Sequence, residues 1–332
     1  MNDNLKKLIF SFSSALHFNS LKKINPQKLI FPFYHAVSDE VPIHLENLYP
    51  IKSVNEFVKD LDFLVKNYNV VDFEKVKAHL NGSNIIVKPS FFLSFDDGLS
   101  EVYDIIAPIL KQKGVPAAFF VNSDFVDNKD LFYRYKLSII LSQKNKLSDL
   151  ENYLKSVGVF NSSLEKTLNI QDKNVSDVLK IAAEFLNIDF YDYLKKYKPY
   201  MTINQLKELS DNGFVIGAHS KSHLLYEKIG VDEQLSQTID SLNFIVENFN
   251  PLHKLFAFPF SDNGIKMEFF EKLFSENIVD FTFGTAGIKK DSFAMNIQRI
   301  PMENGNSAKK NLKYQYFYYF LRSLLNKNVI ER

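Results

Sequence analysis

Phe91-Phe92-Leu93-Ser94-Phe95-Asp96-Asp97-Gly98 is the stretch on which the fold turns. A short uncharged run, apolar on both faces, ends abruptly in two acids and a glycine. Runs of this kind read as strands covered on both sides by helices. Similar runs recur at Leu29–Val37, Asn69–Phe73, Ala117–Val121, Phe214–His219, Leu255–Phe260, Phe281–Gly284 and Ile297–Pro301. Between them lie amphipathic segments. Val54–Lys66 lines up Phe57, Leu61, Leu64 and Val65, and Ser100–Lys113 is stopped by Gly114 and Pro116. Asn204–Asp211, Glu233–Phe249 and Lys266–Glu276 follow the same pattern. Strand and helix in alternation imply an α/β fold with a parallel sheet or barrel.

One stretch breaks the rhythm. Asp130–Tyr200 has helical patterns at Phe132–Ser142, Leu147–Val157, Val175–Phe185 and Phe190–Tyr197, and few strand signals. It is too long for a plain connection and reads as a helical insertion at about 130–200. The chain thus divides into an N-terminal amphipathic segment (1–28), a main domain (29–303) and a C-terminal helix (304–332).

Composition narrows the chemistry. With 45% hydrophobic and 24% charged residues, the chain of 332 residues can bury a large core. Lys and Arg number 40 against 39 Asp and Glu, a balance that offers nothing to a nucleic-acid partner. Cysteine is absent, so disulfides, thiol nucleophiles and thiolate-bound zinc drop out, and any metal must be held by His and carboxylate. The arginines are Arg134, Arg299, Arg322 and Arg332, of which the first two are the candidates for gripping an anion.

Two constellations carry chemistry. Asp96 and Asp97 close an apolar strand, where α/β folds place ligand sites and where a buried carboxylate needs a partner or a metal. The competing reading is a simple Asp-Gly turn. His219-Ser220-Lys221-Ser222-His223 follows another apolar strand. Two histidines four apart would share one face of a helical turn and reach one ion. Asp97 with His219 and His223 gives a two-His-one-carboxylate set, and Asp96 is left free to act as a base.

These two stretches resemble the motifs of the polysaccharide deacetylases, also called the NodB-homology domain or family-4 carbohydrate esterases. Ser94–Gly98 matches the first motif, Thr/Ser-Phe-Asp-Asp-Gly. His219–His223 matches the second, His-Ser/Thr-x-x-His. The resemblance covers roughly Leu29–Phe125 and Tyr200–Met302 and implies a distorted (β/α)7 barrel. It also implies that Asp96 is the general base and that Asp97, His219 and His223 hold a divalent metal. Zinc comes first, with cobalt, nickel and iron also suited to such a set. The implied reaction removes N-acetyl groups from an N-acetylated sugar, polymer or lipid-linked precursor. The alternatives are an O-acetyl esterase using the same site and a catalytically weak glycan-binding homologue.

The chain departs from the family pattern in two places. Ala257-Phe258-Pro259-Phe260 stands where many members have Arg-x-Pro-Tyr/Phe, so the arginine that steadies the base is missing. This resembles a subgroup with Phe-Ala-Tyr-Pro-Tyr/Phe-Gly. The histidine that supplies the general acid in many members is also absent, since no histidine follows His253. His35, in Tyr34-His35-Ala36-Val37 at the end of the first strand, is the replacement, with a structural histidine as the competing reading. Arg299 either stands in for the missing arginine or forms a structural salt bridge. Tyr34, Phe258, Pro259 and Phe260 are candidates for contact with sugar rings, and Arg134 for an anionic substrate group. His17, His44, His79 and His253 lack partners at ligand spacing.

The termini raise the question of location. Leu5–Ile24 carries lysines at both ends of an apolar segment, and Lys309–Lys327 is basic with an aromatic middle. Leu8–Phe18 only faintly resembles a signal peptide and is read as part of the mature protein. Both stretches either pack on the barrel or lie in a membrane interface. The expectation is a cytoplasmic protein, with peripheral contact at the inner membrane face and a lipid-linked intermediate of surface-polysaccharide synthesis within reach.

Overall fold

The computed structural model describes residues 3–168 and 175–332. Residues 169–174, inside the expected insertion, lie outside the described ones, as do the side chains of Leu5, Lys6 and Lys7.

The central sheet is all parallel. Its strands are β1 (Pro32–Tyr34), β2 (Leu93–Phe95), β3 (Ala117–Val121), β4 (Val215–Ala218), β5 (Leu255–Ala257), β6 (Phe281–Gly284), β7 (Asn296–Gln298) and β8 (Ile300–Pro301). Their spatial order is β7-β6-β5-β4-β3-β2-β1-β8. The two ends of that order, β7 and β8, are separated in the chain by Arg299 alone. One extended segment therefore pairs with β6 on one side and with β1 on the other, and the sheet closes. Counting that segment once gives the seven strands of a distorted (β/α)7 barrel. A small sheet of Leu29–Ile30, Ser90–Phe91 and Asn69–Val70 continues the strands below.

Strand alternation sorts the side chains into two layers. Phe31, Phe92, Ala118, Phe120, Leu255, Ala257, Phe283 and Ile297 fill the barrel. Tyr34, Phe95, Phe119, Phe256 and Phe258 point the other way, into the layer beneath the helices. The helical run expected at Ser100–Lys113 is a wide π turn, Val102–Ile106, followed by an α-helix, Ala107–Lys113. Pro108 explains the change, because its ring lacks an N–H and crowds the preceding turn.

Three helices outside the barrel pattern matter for the site and the surface: α1 (Asp3–Ala15), α2 (Tyr133–Leu141) and α3 (Ala308–Leu324). The insertion is helical as expected and has its own core around Ile140, Leu150, Leu154, Leu179 and Ala182. Its first helix, α2, also turns Phe132, Tyr135 and Ile139 toward Ala36, Leu45 and Leu99 on the barrel rim. The aromatic middle of the C-terminal stretch, for which packing on the barrel and contact with a membrane were both open, is partly inside. Leu312, Tyr316 and Tyr319 of α3 are buried, and Tyr316 shares a hydrogen bond of 2.5 Å with Tyr68.

Candidate active site

Both acids of the first motif are placed by the barrel itself. The ladder continues one bond past β2, where Asp96 N–H donates to Tyr34 O at 3.0 Å. Asp96 shares the inward parity of Ser94, so its carboxylate turns into the barrel mouth. The chain then bends sharply, with Asp97 at φ 72° and Gly98 at φ 69°. A Cβ on Gly98 would stand 3.0 Å from Val121 Cγ1, so glycine is needed there for space as well as conformation.

The histidine pair is built differently from expectation. His219 N–H continues the ladder to Val121 O at 2.9 Å. The next residues form no helical turn. Ser220 and His223 are left-handed (φ 65° and 57°), and Ser220 Oγ accepts the His223 N–H at 3.0 Å. A side-chain bond thus closes the loop in place of a backbone one, which gives the motif serine its role. Asn122 Nδ2 donates to the carbonyls of His219 and Ser220 and holds the same loop from β3. Asp97, His223 and Phe260 (φ 57°) line one cavity as non-glycine residues in the left-handed region, with Ser220 in the loop behind them, the pattern expected where backbone strain positions function.

Three ligand atoms converge. Asp97 Oδ1 lies 3.4 Å from His219 Nε2 and 3.2 Å from His223 Nε2. Two ligands each about 2.1 Å from a tetrahedral zinc are about 3.4 Å apart, so the spacing fits one ion. The protonation pattern agrees. His219 Nδ1 is 2.8 Å from Ala257 O, so that nitrogen carries the proton and Nε2 presents a lone pair. Burial lowers the His223 pKa and keeps this imidazole neutral. Asp97 Oδ1 is buried without a hydrogen-bond partner. Lone pairs and an anionic oxygen facing one another at this range repel unless a cation lies between them. Asp97 Oδ2 is satisfied by the Tyr135 hydroxyl at 2.7 Å, and the His223 ring is wedged between Phe132 and Phe260 at 4.3 and 4.6 Å.

Asp96 has a different environment. Arg299 grips both its oxygens, at 2.7 and 2.8 Å, and also donates to Ser94 Oγ at 3.1 Å. Burial pushes the Asp96 pKa up, but Arg299 outweighs it and keeps the carboxyl ionised below its ordinary range. Asp96 Oδ2 is 4.0 Å from His219 Nε2, beside the converging ligands but outside their set. Of the two readings of Arg299, the structure contains the ion pair with Asp96. Arg299 itself is fully buried, under the rings of Phe33 and Phe120, and is not a substrate contact. The missing arginine of the third motif is thus supplied by the closing strand.

His35 lines the same cavity as Asp96, Asp97 and the histidines. Its Nδ1 meets Glu303 Oε2 at 2.5 Å, and Glu303 also accepts the N–H groups of His35 and Ala36 at 2.8 and 2.9 Å. Burial would lower the His35 pKa, but the Glu303 carboxylate raises it to about 9.

Several expected sugar contacts are corrected by strand parity. Tyr34 is buried between Phe57 and Phe95, with its hydroxyl on Asp60 at 3.3 Å. Phe258 packs on Tyr226, Phe269 and Phe270 with no exposed surface. Both side chains point into the outer layer; Phe258 reaches the cavity wall but exposes no surface, while Phe33 and Phe260 line the cavity with it. Pro259 is buried and shapes the loop without reaching the cavity. Arg134 does line it, with its guanidinium 5.6 Å from the Phe260 ring. Sequence reasoning missed Tyr49, Tyr135 and Glu303. Glu303 had a visible signal, an acid just past the last strand; the tyrosines had none. Among the other histidines, His44 bonds the Tyr193 hydroxyl at 3.0 Å and His253 pairs with Glu74 at 2.5 Å.

A closed parallel barrel with a two-His-one-carboxylate cluster and a separate paired aspartate at its mouth defines a class of hydrolase. Residues 86–268 match the polysaccharide deacetylase family, and the chain belongs to it. It is therefore a hydrolase of carbon–nitrogen amide bonds in N-acetylated polysaccharide, in a family that works with divalent metal. No protein of curated function matches the sequence. Among solved structures, the deacetylase PplD of Streptococcus pyogenes, in complex with acetate, superposes with a TM-score of 0.57 at 16% identity over 88% of this chain and 99% of that one. IcaB of Ammonifex degensii gives 0.57 at 15% identity over 88% and 98%. A de-N-acetylase of Aggregatibacter actinomycetemcomitans gives 0.53 at 18% identity over 86% and 99%. At these identities the likeness is one of fold.

Proposed function

We propose that this chain removes the acetyl group of an N-acetylated sugar at a divalent ion, zinc foremost, held by Asp97, His219 and His223. The observation that carries this reading is the partnerless Asp97 Oδ1 facing two imidazole nitrogens at 3.2 and 3.4 Å. A divalent ion there would polarise the acetamido carbonyl and acidify water. Asp96 is the proton acceptor: it lies beside the cluster, and Arg299 keeps it ionised and fixed in orientation. His35 is the proton donor to the departing amine. Glu303 holds its Nδ1, leaving Nε2 as the nitrogen that gives up the proton, and a pKa of about 9 keeps the ring charged at neutral pH. Phe33, Tyr49 and Phe260 form apolar walls against which a sugar ring rests.

The test is release of free amine from N-acetylglucosamine oligomers by zinc-loaded protein, set against acetate release from O-acetylated sugar. Amine release dependent on zinc supports the reading. Acetate from the ester alone would make the enzyme an esterase, and neither product would leave a binding protein.

We also propose that α1 holds the enzyme at an anionic membrane surface. Leu8 and Phe12, one turn apart on α1, and Leu16 just past its end are 54, 59 and 40% exposed. The end of α3 adds exposed Leu324 and Leu325. Such exposed apolar side chains with nearby lysines suit a headgroup boundary. Salt-sensitive flotation with anionic vesicles, lost on Phe12→Ser, is the expected result; no flotation at low salt would refute it.

A further inference from the structure

Among the described residues, the charged groups around the active-site cavity fall into two ion pairs, a cluster of converging ligands and one cation left over. Asp96 is paired with Arg299 and His35 with Glu303, and Asp97 belongs to the converging ligand set with His219 and His223. Arg134 lines the same cavity and forms no ion pair with any described residue, and its Nε is buried without a hydrogen-bond partner. The nearest acid along the chain, Asp130, is taken by Lys136 at 2.9 Å. The guanidinium sits against the face of Phe260, at 5.6 Å. Its place on the helix is also unfavourable. Arg134 stands in the first turn of α2, which contains no acidic residue, and the helix dipole there disfavours a cation and favours an anion. The Phe260 ring that contacts Arg134 also contacts His223 at 4.6 Å, so a single ring spans from the guanidinium to the ligand cluster.

Resting on the deacetylase reading above, we propose that Arg134 sets substrate specificity by gripping an oxyanion, a carboxylate or a phosphate, carried by the sugar whose acetamido group is cleaved or by its immediate neighbour. A planar guanidinium fits either group through two parallel N–H bonds. The substrate would then bring the counter-charge that the protein withholds. The helical insertion is what supplies the cation, so substrate class is written into the insertion and chemistry into the barrel.

Calorimetric titration of the zinc-loaded protein tests this with three probes: N-acetylmuramic acid for carboxylate, N-acetylglucosamine 1-phosphate for phosphate, and neutral N-acetylglucosamine. At least one anionic sugar should bind roughly ten- to a hundredfold more tightly than the neutral one, the range of a charged hydrogen bond. Which one does so identifies the anion. The advantage should shrink with added salt in the wild type, collapse in Arg134→Ala and return in part in Arg134→Lys. Equal binding of all three sugars, or an advantage that survives Arg134→Ala, overturns the proposal. Selective anion binding without amine release from any sugar would sustain the anion site and sink the deacetylase reading. Amine release at equal rates from neutral and anionic sugars would do the reverse.

Discussion

The barrel rim and the helical insertion face each other across one cavity, and the two are built on opposite principles. On the rim, Asp96 and His219 continue the backbone ladders of their strands, so their positions follow from the sheet. The insertion reaches the cavity through the start of one helix, α2, where Phe132, Arg134 and Tyr135 arrive as side chains, the two aromatics docked on the rim while the rest of the insertion packs on its own core. The cations of the rim, Arg299 and His35, each have a carboxylate partner, whereas the insertion presents one, Arg134, that has none among the described residues. The difference teaches that the reacting groups are fixed by the most rigid part of the fold, while the groups that choose and trim are carried by a part that can vary without disturbing it.

The largest effect falls on the rim. Asp97→Ala and His223→Ala should each lose the bound metal and nearly all turnover while circular dichroism and thermal unfolding stay near wild type, because relief of converging lone pairs offsets the lost packing. Stoichiometric metal by plasma mass spectrometry in either variant would break the assignment.

Asp96→Asn comes next. It should retain metal yet lose about 10²- to 10⁴-fold in turnover, the range of a general base. The same aspartate couples activity to stability. Its folded-state pKa lies below the ordinary value, so the Arg299 pair stabilises the fold above about pH 4 and that contribution is lost as the pH falls. Arg299→Leu leaves a buried carboxylate without a partner and should cost about 3–5 kcal/mol at neutral pH. Urea unfolding at pH 7 and pH 3 reads both the size and the sign.

How much of this was legible in the sequence follows the same division. Asp96, Asp97, His219 and His223 could be read because each lies in a short stretch closing an apolar strand, so local pattern and global position coincide. The (β/α)7 order was legible for the same reason. Tyr34 and Phe258 were misread because aromatic character was weighed and strand parity was not: alternation puts Phe33, the register partner of Ser94, on the inward face and turns the side chains of Tyr34 and Phe258 into the outer layer, where Phe258 exposes no surface. Arg299, Glu303, Tyr49 and Tyr135 were beyond certain reading. Each reaches the site only through barrel closure or through docking of the insertion, contacts between residues far apart in the chain that no local period reports.

Tyr135→Phe probes the insertion's share in the chemistry. It removes the hydroxyl that satisfies Asp97 Oδ2 and little else. Metal affinity should fall about 10–100-fold, the usual cost of losing a partner that orients a ligand, with full turnover restored by excess zinc. Unchanged affinity would confine metal binding to the rim and leave the insertion a purely selective role.

The smallest effect sharpens the rim itself, through Glu303. The carboxylate raises His35 to about 9 against a pull from burial in the other direction. The charged pair therefore stabilises the fold fully below the ordinary histidine value of 6.5, and that stability is lost as the pH rises through about 9. Glu303→Gln removes the countercharge and should return His35 to 6.5 or lower. At pH 7 the protonated fraction then falls only about fourfold, and at pH 8 about thirtyfold, so the loss in amide hydrolysis should grow steeply with pH. An activated acetyl ester, whose leaving group departs without a proton, should show much less of this growth. Rate profiles for amide and ester across pH 6–9 separate the outcomes. A parallel downward displacement of both would mean that Glu303 only holds the loop of His35 and Ala36 in place. A basic limb that moves from about 9 toward 6.5 for the amide alone would mark His35 as the proton donor on the rim.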